Sequence, residues 1–212
     1  MTRHLARLLL LALIPLSAAA QDASRPRHGD FTVHRHLGFF IRPELGFGYL
    51  NSSASQSGTD FTISGSGAGL GLAIGGAVSE NFIVAGQVWD YVASRPDVKI
   101  SGGGSSISGA SDSDAGLVGY GVLLNWYLQP SNAYLAVTPS FTRLVSSNGS
   151  SSSTSDWGFG VRGAVGKEWW VSDHWGLGLN ASLGLSSNKD KGSGAPTFGT
   201  ACFGVNFSAT YN

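Results

Sequence analysis

A two-residue alternation between bulky apolar and small polar residues runs through residues 156–185. On its first arm, one parity carries Trp157, Phe159, Val161, Val165 and Trp169, and the other carries Gly158, Gly160, Arg162, Ala164, Gly166 and Glu168. A second arm repeats the pattern from Trp175 to Leu185. Because successive side chains of a strand point to opposite faces, the two arms predict a β-hairpin with one bulky apolar face and one small polar face.

The same alternation recurs in six further segments, so that the chain is predicted to form eight strands. They lie at residues 39–49, 68–78, 82–89, 118–128, 134–142, 157–169, 175–185 and 202–211. Tight turns alternate with Ser/Gly-rich loops, which are predicted at Asn51–Ser66, Val92–Asp114, Val145–Ser155 and Ser186–Ala195. Within the second loop, Val98–Ile100 and Ser106–Ser108 flank three glycines and predict a small hairpin. Pro43 and Pro139 fall inside strands and suggest bulges there.

The composition indicates which face of these strands is outside. Charged residues make up 12% of the chain, about half the ~25% share of soluble domains. A soluble barrel with its apolar face inward would need a charged exterior, which the small polar face does not provide. The apolar face is therefore predicted to meet lipid, where open strand edges are not tolerated. The predicted fold is all-β: a closed antiparallel up-and-down transmembrane β-barrel of eight strands.

Aromatic residues near the strand ends fit this orientation, because Trp and Tyr concentrate at membrane interfaces. The predicted membrane-interface girdle comprises Phe82, Trp126, Trp157, Trp169, Trp175 and Tyr211. On the opposite parity, polar side chains are predicted to share the lumen, where buried charges need partners. The predicted lumen polar network comprises Arg42, Glu44, Gln87, Asn125, Arg162 and Glu168. Passage of protons or ions along this network is the alternative to a purely structural role.

Residues 1–20 have the features of an export signal: Arg3 and Arg7 precede a short apolar run, and a small-residue cleavage site ends at Ala20. Residues 21–37 are predicted to be a flexible periplasmic leader, and 38–212 the barrel domain. The resulting localisation is the bacterial outer membrane. After cleavage, 11 Lys and Arg oppose 13 Asp and Glu, a net charge of −2, which gives no indication of a nucleic-acid partner.

Three motifs resemble sites of chemistry, and the sequence favours a structural interpretation of each. The G-x-G-x-x-G spacing of residues 158–163 lies inside a predicted strand rather than between a strand and a helix. The run Ser172–His174 holds the residue types of a hydrolytic triad, but consecutive turn residues do not align as one. His34 and His36 have the spacing of metal ligands but lack further fixed partners. No catalytic residue, metal or cofactor is predicted, and the chain is interpreted as a non-enzyme.

From Phe39 to Asn212 the pattern resembles the small eight-stranded outer-membrane barrels of Gram-negative bacteria, the OmpA/OmpX/Ail-type family. The most specific part is the last strand, where Phe203, Val205, Phe207 and Tyr211 look like the signal such proteins present to the barrel-assembly machinery. The family usually ends on the aromatic residue itself, whereas Asn212 follows Tyr211 here. The resemblance implies that the partners are outer-membrane lipid and the assembly machinery.

Two functions remain open from the sequence. The first is a structural or cell-surface interaction role, in which the long Ser/Gly-rich loops contact a surface ligand or a host cell, because loops on a rigid scaffold commonly carry binding. The second is a narrow, porin-like pore or transporter for small or hydrophobic solutes. The first is preferred, because eight strands enclose an interior just wide enough for side chains to fill.

Overall fold

The computed structural model of the protein describes residues 35–212. The predicted signal peptide and most of the predicted leader lie outside these residues. Among residues 35–212, no helix is long and apolar enough to cross a membrane. The strands are β1 (Phe39–Gln56), β2 (Thr59–Ser79), β3 (Phe82–Ala93), β4 (Asp97–Gly102), β5 (Ser105–Ala110), β6 (Asp114–Leu128), β7 (Ala133–Ser147), β8 (Ser152–Thr154), β9 (Gly158–Trp170), β10 (Trp175–Lys189) and β11 (Thr197–Tyr211).

Eight of these strands form a closed ring. Pairing runs from β1 through β11, β10, β9, β7, β6 and β3 to β2, and β2 pairs with β1 again. Every pairing in the ring is antiparallel. The predicted closed eight-stranded antiparallel barrel is confirmed. Closure leaves no open edge in the wall, which is the condition for a sheet that meets hydrocarbon.

The two faces of the wall differ as the alternation predicts. Along β10, side chains alternate between exposed and buried from Trp175 to Leu185, with the apolar residues exposed and the small residues buried. In β3, Gln87 and Trp89 point into the barrel and Val88 points out, so Gln87 lies on the predicted inward face. The exterior is therefore apolar and the interior is mostly polar, the reverse of a soluble barrel.

The bulges suggested at Pro43 and Pro139 are wrong. Pairing of β1 with β11 is interrupted between Ile41 and Glu44, and pairing of β6 with β7 is interrupted between Val137 and Ser140, but the register is the same on both sides of each gap. Each proline still faces its other neighbouring strand in register. Proline has no N–H to donate, so the ladder loses bonds on one side without taking up an extra residue.

The loop predicted at Asn51–Ser66 is also wrong. The strands β1 and β2 stay paired in register up to Gln56 and Thr59, so that only Ser57 and Gly58 connect them. Both residues have positive φ, at 51° and 79°, as in the two-residue turns that match the twist of a hairpin. The Ser-rich ends of β1 and β2 lack a regular apolar alternation, and this segment was therefore predicted to be a loop.

The remaining three loops are shorter than predicted, for the same reason. In the second, β4 and β5 form the predicted small hairpin, and β4 also pairs with β2 along residues 59–64. In the third, β7 continues to Ser147 and a short β8 pairs back onto it. In the fourth, β10 continues to Lys189. At this end of the barrel the strands therefore extend beyond their predicted bounds as paired β-structure, and we call it the loop end. The opposite end, with three tight turns, is the turn end.

Candidate functional site

Four charged side chains meet in the middle of the lumen. Arg42, Glu44, Arg162 and Glu168 are each at most 4% exposed. Glu44 lies between the two arginines, with Oε2 2.8 Å from Arg162 Nη2 and Oε1 3.3 Å from Arg42 Nε. Arg42 Nη1 is also 3.8 Å from Glu168 Oε1. Two cations and two anions are thus buried together, and their formal charges cancel.

Neutral groups complete the surroundings of this cluster. Arg42 Nη1 donates to Asn125 Oδ1 at 3.1 Å, and its guanidinium lies 4.7 Å from the ring centre of Tyr134. The Glu168 carboxylate accepts hydrogen bonds from the Tyr127 hydroxyl at 3.0 Å and from Thr210 Oγ1 at 2.7 Å. Such hydrogen bonds are what makes burial of an ion pair tolerable.

Toward the loop end, the cluster continues as a chain of neutral hydrogen bonds. Asn180 Nδ2 donates to Glu44 Oε1 at 3.3 Å, and Asn206 Nδ2 donates to Asn180 Oδ1 at 2.8 Å. The Tyr91 hydroxyl, in turn, donates to Asn206 Oδ1 at 3.0 Å and lies 2.8 Å from Ser182 Oγ. The lumen is therefore crossed at this level by polar side chains from β3, β10 and β11.

Large side chains fill the space between these polar groups. Trp89 is buried and donates from Nε1 to Ser140 Oγ at 3.0 Å, and Gln87 accepts from Thr138 Oγ1 at 2.6 Å. Glycines beside the large rings provide the space that the rings occupy. At Gly69, for example, an added Cβ would lie 2.6 Å from the ring of Tyr91. The alternation of small and large residues in the sequence is thus a packing pattern, in which the rings of Trp89, Tyr91 and Tyr134 fit against glycine backbone.

A short N-terminal segment closes the turn end, where the sequence predicted a flexible leader up to residue 37. His36 is fully buried, with its ring stacked 3.4 Å from Tyr127 and its Nε2 2.8 Å from Asn132 Oδ1. Trp170 packs on the same imidazole ring, with the ring centres 5.0 Å apart. Residues 35–37 therefore differ from the predicted leader, because an aromatic slot at the turn end receives His36.

The loop end holds a cavity of about 170 Å³. Its apolar lining includes Leu50, Leu144 and Phe198, and its rim is rich in serine. Leu50 belongs to a buried cluster with Trp89 and Tyr91, against which Leu144 also packs. That cluster separates the cavity from the ion pairs, so the cavity is blind.

The predicted girdle residues lie on the outer wall. Trp126, Trp157, Trp169 and Trp175 are exposed there, and Phe82 and Tyr211 are half-buried. Trp157 stands at the loop end, next to the first residue of β9, whereas the other five stand near the turn end. Among them, Phe82 pairs with Trp126 and Trp175 pairs with Tyr211 across neighbouring strands.

Two of the three motifs that resemble sites of chemistry lie in a strand and in a turn. Residues 158–163 lie within β9. In the turn after β9, Ser172 Oγ accepts a hydrogen bond from the Trp175 backbone N–H at 3.1 Å, and the ring of His174 is 5.7 Å from that of Tyr211. His34 lies outside the described residues. Within residues 35–212, no group of three or more His, Cys, Asp or Glu side chains is arranged to hold a metal ion.

No protein-family profile and no curated protein sequence matches this chain. Solved structures do match. Neisserial surface protein A (NspA) is 16% identical, with a TM-score of 0.55, over 82% of this chain and 96% of its own. The outer-membrane protein OprG from Pseudomonas aeruginosa is 13% identical, with a TM-score of 0.50, over 84% of this chain and 98% of its own. This chain has the outer-membrane β-barrel fold.

Within this outer-membrane barrel fold, the sequence pattern placed the six predicted lumen residues on the inward parity, and the structure has all six buried. It missed His36, Tyr91, Asn180 and Asn206 as members of the same network. Tyr91 shares its parity with Gln87 and Trp89, so extending the predicted third strand by two residues would have placed it inside. His36 gave no such signal, because it precedes the alternation and enters the lumen from a non-strand segment.

Proposed function

We propose that the protein is a non-enzymatic resident of the bacterial outer membrane that acts at the cell surface through its loop end. Its apolar exterior and its barrel fold support the location. In such barrels short turns face the periplasm and longer connections face outward, so the loop end is expected to face the cell exterior. The alternating exposed residues Phe203, Val205 and Phe207 of β11 support recognition by the barrel-assembly machinery. Lipid of the outer membrane is the remaining expected partner.

The filled lumen is the observation that carries this proposal. His36 occupies the turn end, the four-charge cluster occupies the middle, and Trp89 and Tyr91 cross the interior above it. A solute moving along the axis would have to separate buried ion pairs and displace packed rings. Such a lumen stabilises a scaffold, and the exposed loop end is the part left to contact other molecules.

The surface available for contact is a small sheet rather than a set of loose loops. It is built from the outer parts of β1 and β2 together with β4 and β5. Every residue of β5 is exposed, including Ile107 at 77%. Ser and Gly dominate this sheet, with few charges, so a surface ligand or host-cell component would be recognised mainly through hydroxyl and backbone groups.

A second candidate function is entry of small or hydrophobic solutes, and the blind cavity at the loop end favours it. The apolar lining around Leu50, Leu144 and Phe198, under a serine rim, is the usual character of a small-molecule site. Passage beyond this cavity would require the cluster of Trp89 and Tyr91 to move.

Single-channel recording separates the two functions. The purified, folded protein is inserted into planar lipid bilayers, with a general porin as the positive control for detection. We expect no steady ohmic conductance, because buried ion pairs and aromatic rings occupy the lumen. A reproducible conductance step from the folded barrel would overturn the scaffold proposal and favour the pore.

A further inference from the structure

A row of basic side chains lies on the outer wall at the loop end, on either side of Trp157. The β7–β9 register ends at Thr142 opposite Gly158, and the next residues, Arg143 and Trp157, touch: the guanidinium lies 4.9 Å from the indole ring centre. On the other side, β9–β10 pairing ends at Phe159 opposite Ser187, and the Asp156 N–H donates to the Lys189 carbonyl at 2.9 Å, which brings Lys189 next to Trp157. Trp157 is itself one of the predicted interface residues, so these cations stand at the level of a membrane boundary.

Two of the cations in this region converge on one neutral atom. Arg143 Nη2 and Lys191 Nζ each lie 3.0 Å from Thr154 Oγ1, so the two nitrogens are at most 6.0 Å apart. Within residues 35–212, no carboxylate lies within 4.0 Å of either side chain. The neighbouring Asp190 accepts from the Lys191 backbone N–H and lines the cavity instead. Arg143 also donates from Nε and Nη2 to the Ser155 carbonyl oxygen. Two like charges at this spacing repel each other, and an anion between them would remove that repulsion.

Directly on the turn-end side of these cations, the outer wall carries a cluster of aromatic rings. Tyr120 and Trp157 have ring centres 5.9 Å apart, and Phe141 and Phe159 have theirs 5.0 Å apart. All four are exposed, from 47% at Tyr120 to 72% at Phe159. Aromatic side chains at the boundary of an apolar wall contact acyl chains on one side and headgroups on the other.

We propose that Arg143, Lys191 and Lys189, together with this aromatic cluster, form a binding site for a lipid with a terminal phosphate in the outer leaflet. The phosphate bridges Arg143 and Lys191, since arginine and lysine are the usual partners of phosphate oxygens. Lys189 adds charge from the neighbouring strand, and the acyl chains lie on the four rings. The inference rests on the outer-membrane location proposed above and names the lipid class that this part of the wall selects.

Native mass spectrometry in detergent tests the site. The mature protein is incubated with phosphatidic acid, with phosphatidylglycerol or with diacylglycerol of the same acyl chains, and the retained lipid is counted. We expect phosphatidic acid to be retained best and diacylglycerol least. The double variant Arg143→Gln/Lys191→Gln should bind phosphatidic acid about tenfold or more weakly, because two charge-assisted contacts are lost.

The matched control is Arg95→Gln/Lys99→Gln, which removes the same charge from the loop end beside β2, β3 and β4 instead of β7, β9 and β10, and should leave binding unchanged. Heat-dependent gel mobility checks that each variant folds. Equal binding by wild type and Arg143→Gln/Lys191→Gln, or equal retention of all three lipids, overturns the proposal. Full displacement of phosphatidic acid by inorganic phosphate overturns the lipid assignment in favour of a free-anion site. Since the assay uses detergent, its result is independent of where the protein lies in the cell.

Discussion

At the scale of single residues, Glu44 holds the lumen network together. It pairs with both arginines and accepts from Asn180, while Glu168 is held by Tyr127 and Thr210. Removal of one member therefore leaves a buried charge short of one of its partners. Breaking a buried pair is generally far more costly than replacing the whole pair, because an uncompensated charge stays behind.

Arg162→Met is the substitution that tests this arrangement. It deprives Glu44 Oε2 of its 2.8 Å partner and should lower the free energy of unfolding by about 3–5 kcal/mol. Urea unfolding in lipid vesicles, followed by tryptophan fluorescence, measures the change. The double variant Glu44→Gln/Arg162→Met removes the orphaned charge and should recover part of the loss. An unchanged urea midpoint for Arg162→Met would show that Arg162 contributes no buried pair.

The parity of a strand predicts which charges face inward but not which of them meet. Arg42 and Glu44 share one strand, and Arg162 and Glu168 share another, so the pairing across the lumen depends on strand order and shear. Those quantities follow from closure of the whole ring and cannot be obtained from a single segment. The burial of His36 depends on a slot formed by Tyr127, Asn132 and Trp170, three residues far from it in the chain.

At the scale of elements, the β4–β5 hairpin is an addition to the barrel rather than part of its wall. The hairpin starts after Pro96 and ends before Ser111, and these two residues are joined by a hydrogen bond from the Ser111 N–H to the Pro96 carbonyl at 2.8 Å. Its other attachment is the pairing of β4 with residues 59–64. The barrel strands on either side, β3 and β6, pair with each other independently of it.

Deletion of residues 97–110, with Pro96 joined to Ser111 through two glycines, should therefore leave the barrel folded. We expect the heat-dependent gel mobility to be unchanged, while binding of the purified protein to whatever cell surface it recognises is lost. Ile107→Ser is the matched control, because it removes the most exposed apolar side chain of β5 and keeps the hairpin. It shows whether binding depends on that side chain or on the backbone and hydroxyl groups of the hairpin. Full retention of binding by the deletion variant would place the contact surface elsewhere on the loop end.

The boundaries of elements were predictable where the wall meets an apolar environment and not beyond it. Inside the apolar band, alternation marks each strand within a few residues, as from Trp175 to Leu185. Above it, β1 and β2 consist mainly of Ser, Gly, Asn and Thr, with Phe61 and Ile63 as the bulky apolar residues, so there is no clear two-residue period. The turn at Ser57–Gly58 therefore lies within a polar run and could not be told apart from it. The hydrogen-bonded ladder continues there because its geometry is set by the paired backbones and not by side-chain polarity.

At the scale of the whole molecule, residues 35–212 form a closed wall turned inside out relative to a soluble protein. Exposed Leu, Val, Phe and Trp side chains cover the outside, while charged, amide and hydroxyl groups share the inside with buried aromatic and aliphatic side chains. An exterior of this kind would be a large aggregation-prone patch in water. In a bilayer the same surface is the solvated one, and closure pairs the backbone of the wall except for the bonds lost beside Pro43 and Pro139.

The most direct test of this account is where the mature protein is found after export in a Gram-negative host. Membranes are separated by sucrose density and washed with carbonate, and the fractions are probed for the protein. We expect the protein in the outer-membrane fraction, resistant to the wash, because its apolar wall is solvated only by lipid. Recovery of a folded, soluble protein from the periplasm would contradict the account, since an exterior of this composition could not then be facing hydrocarbon.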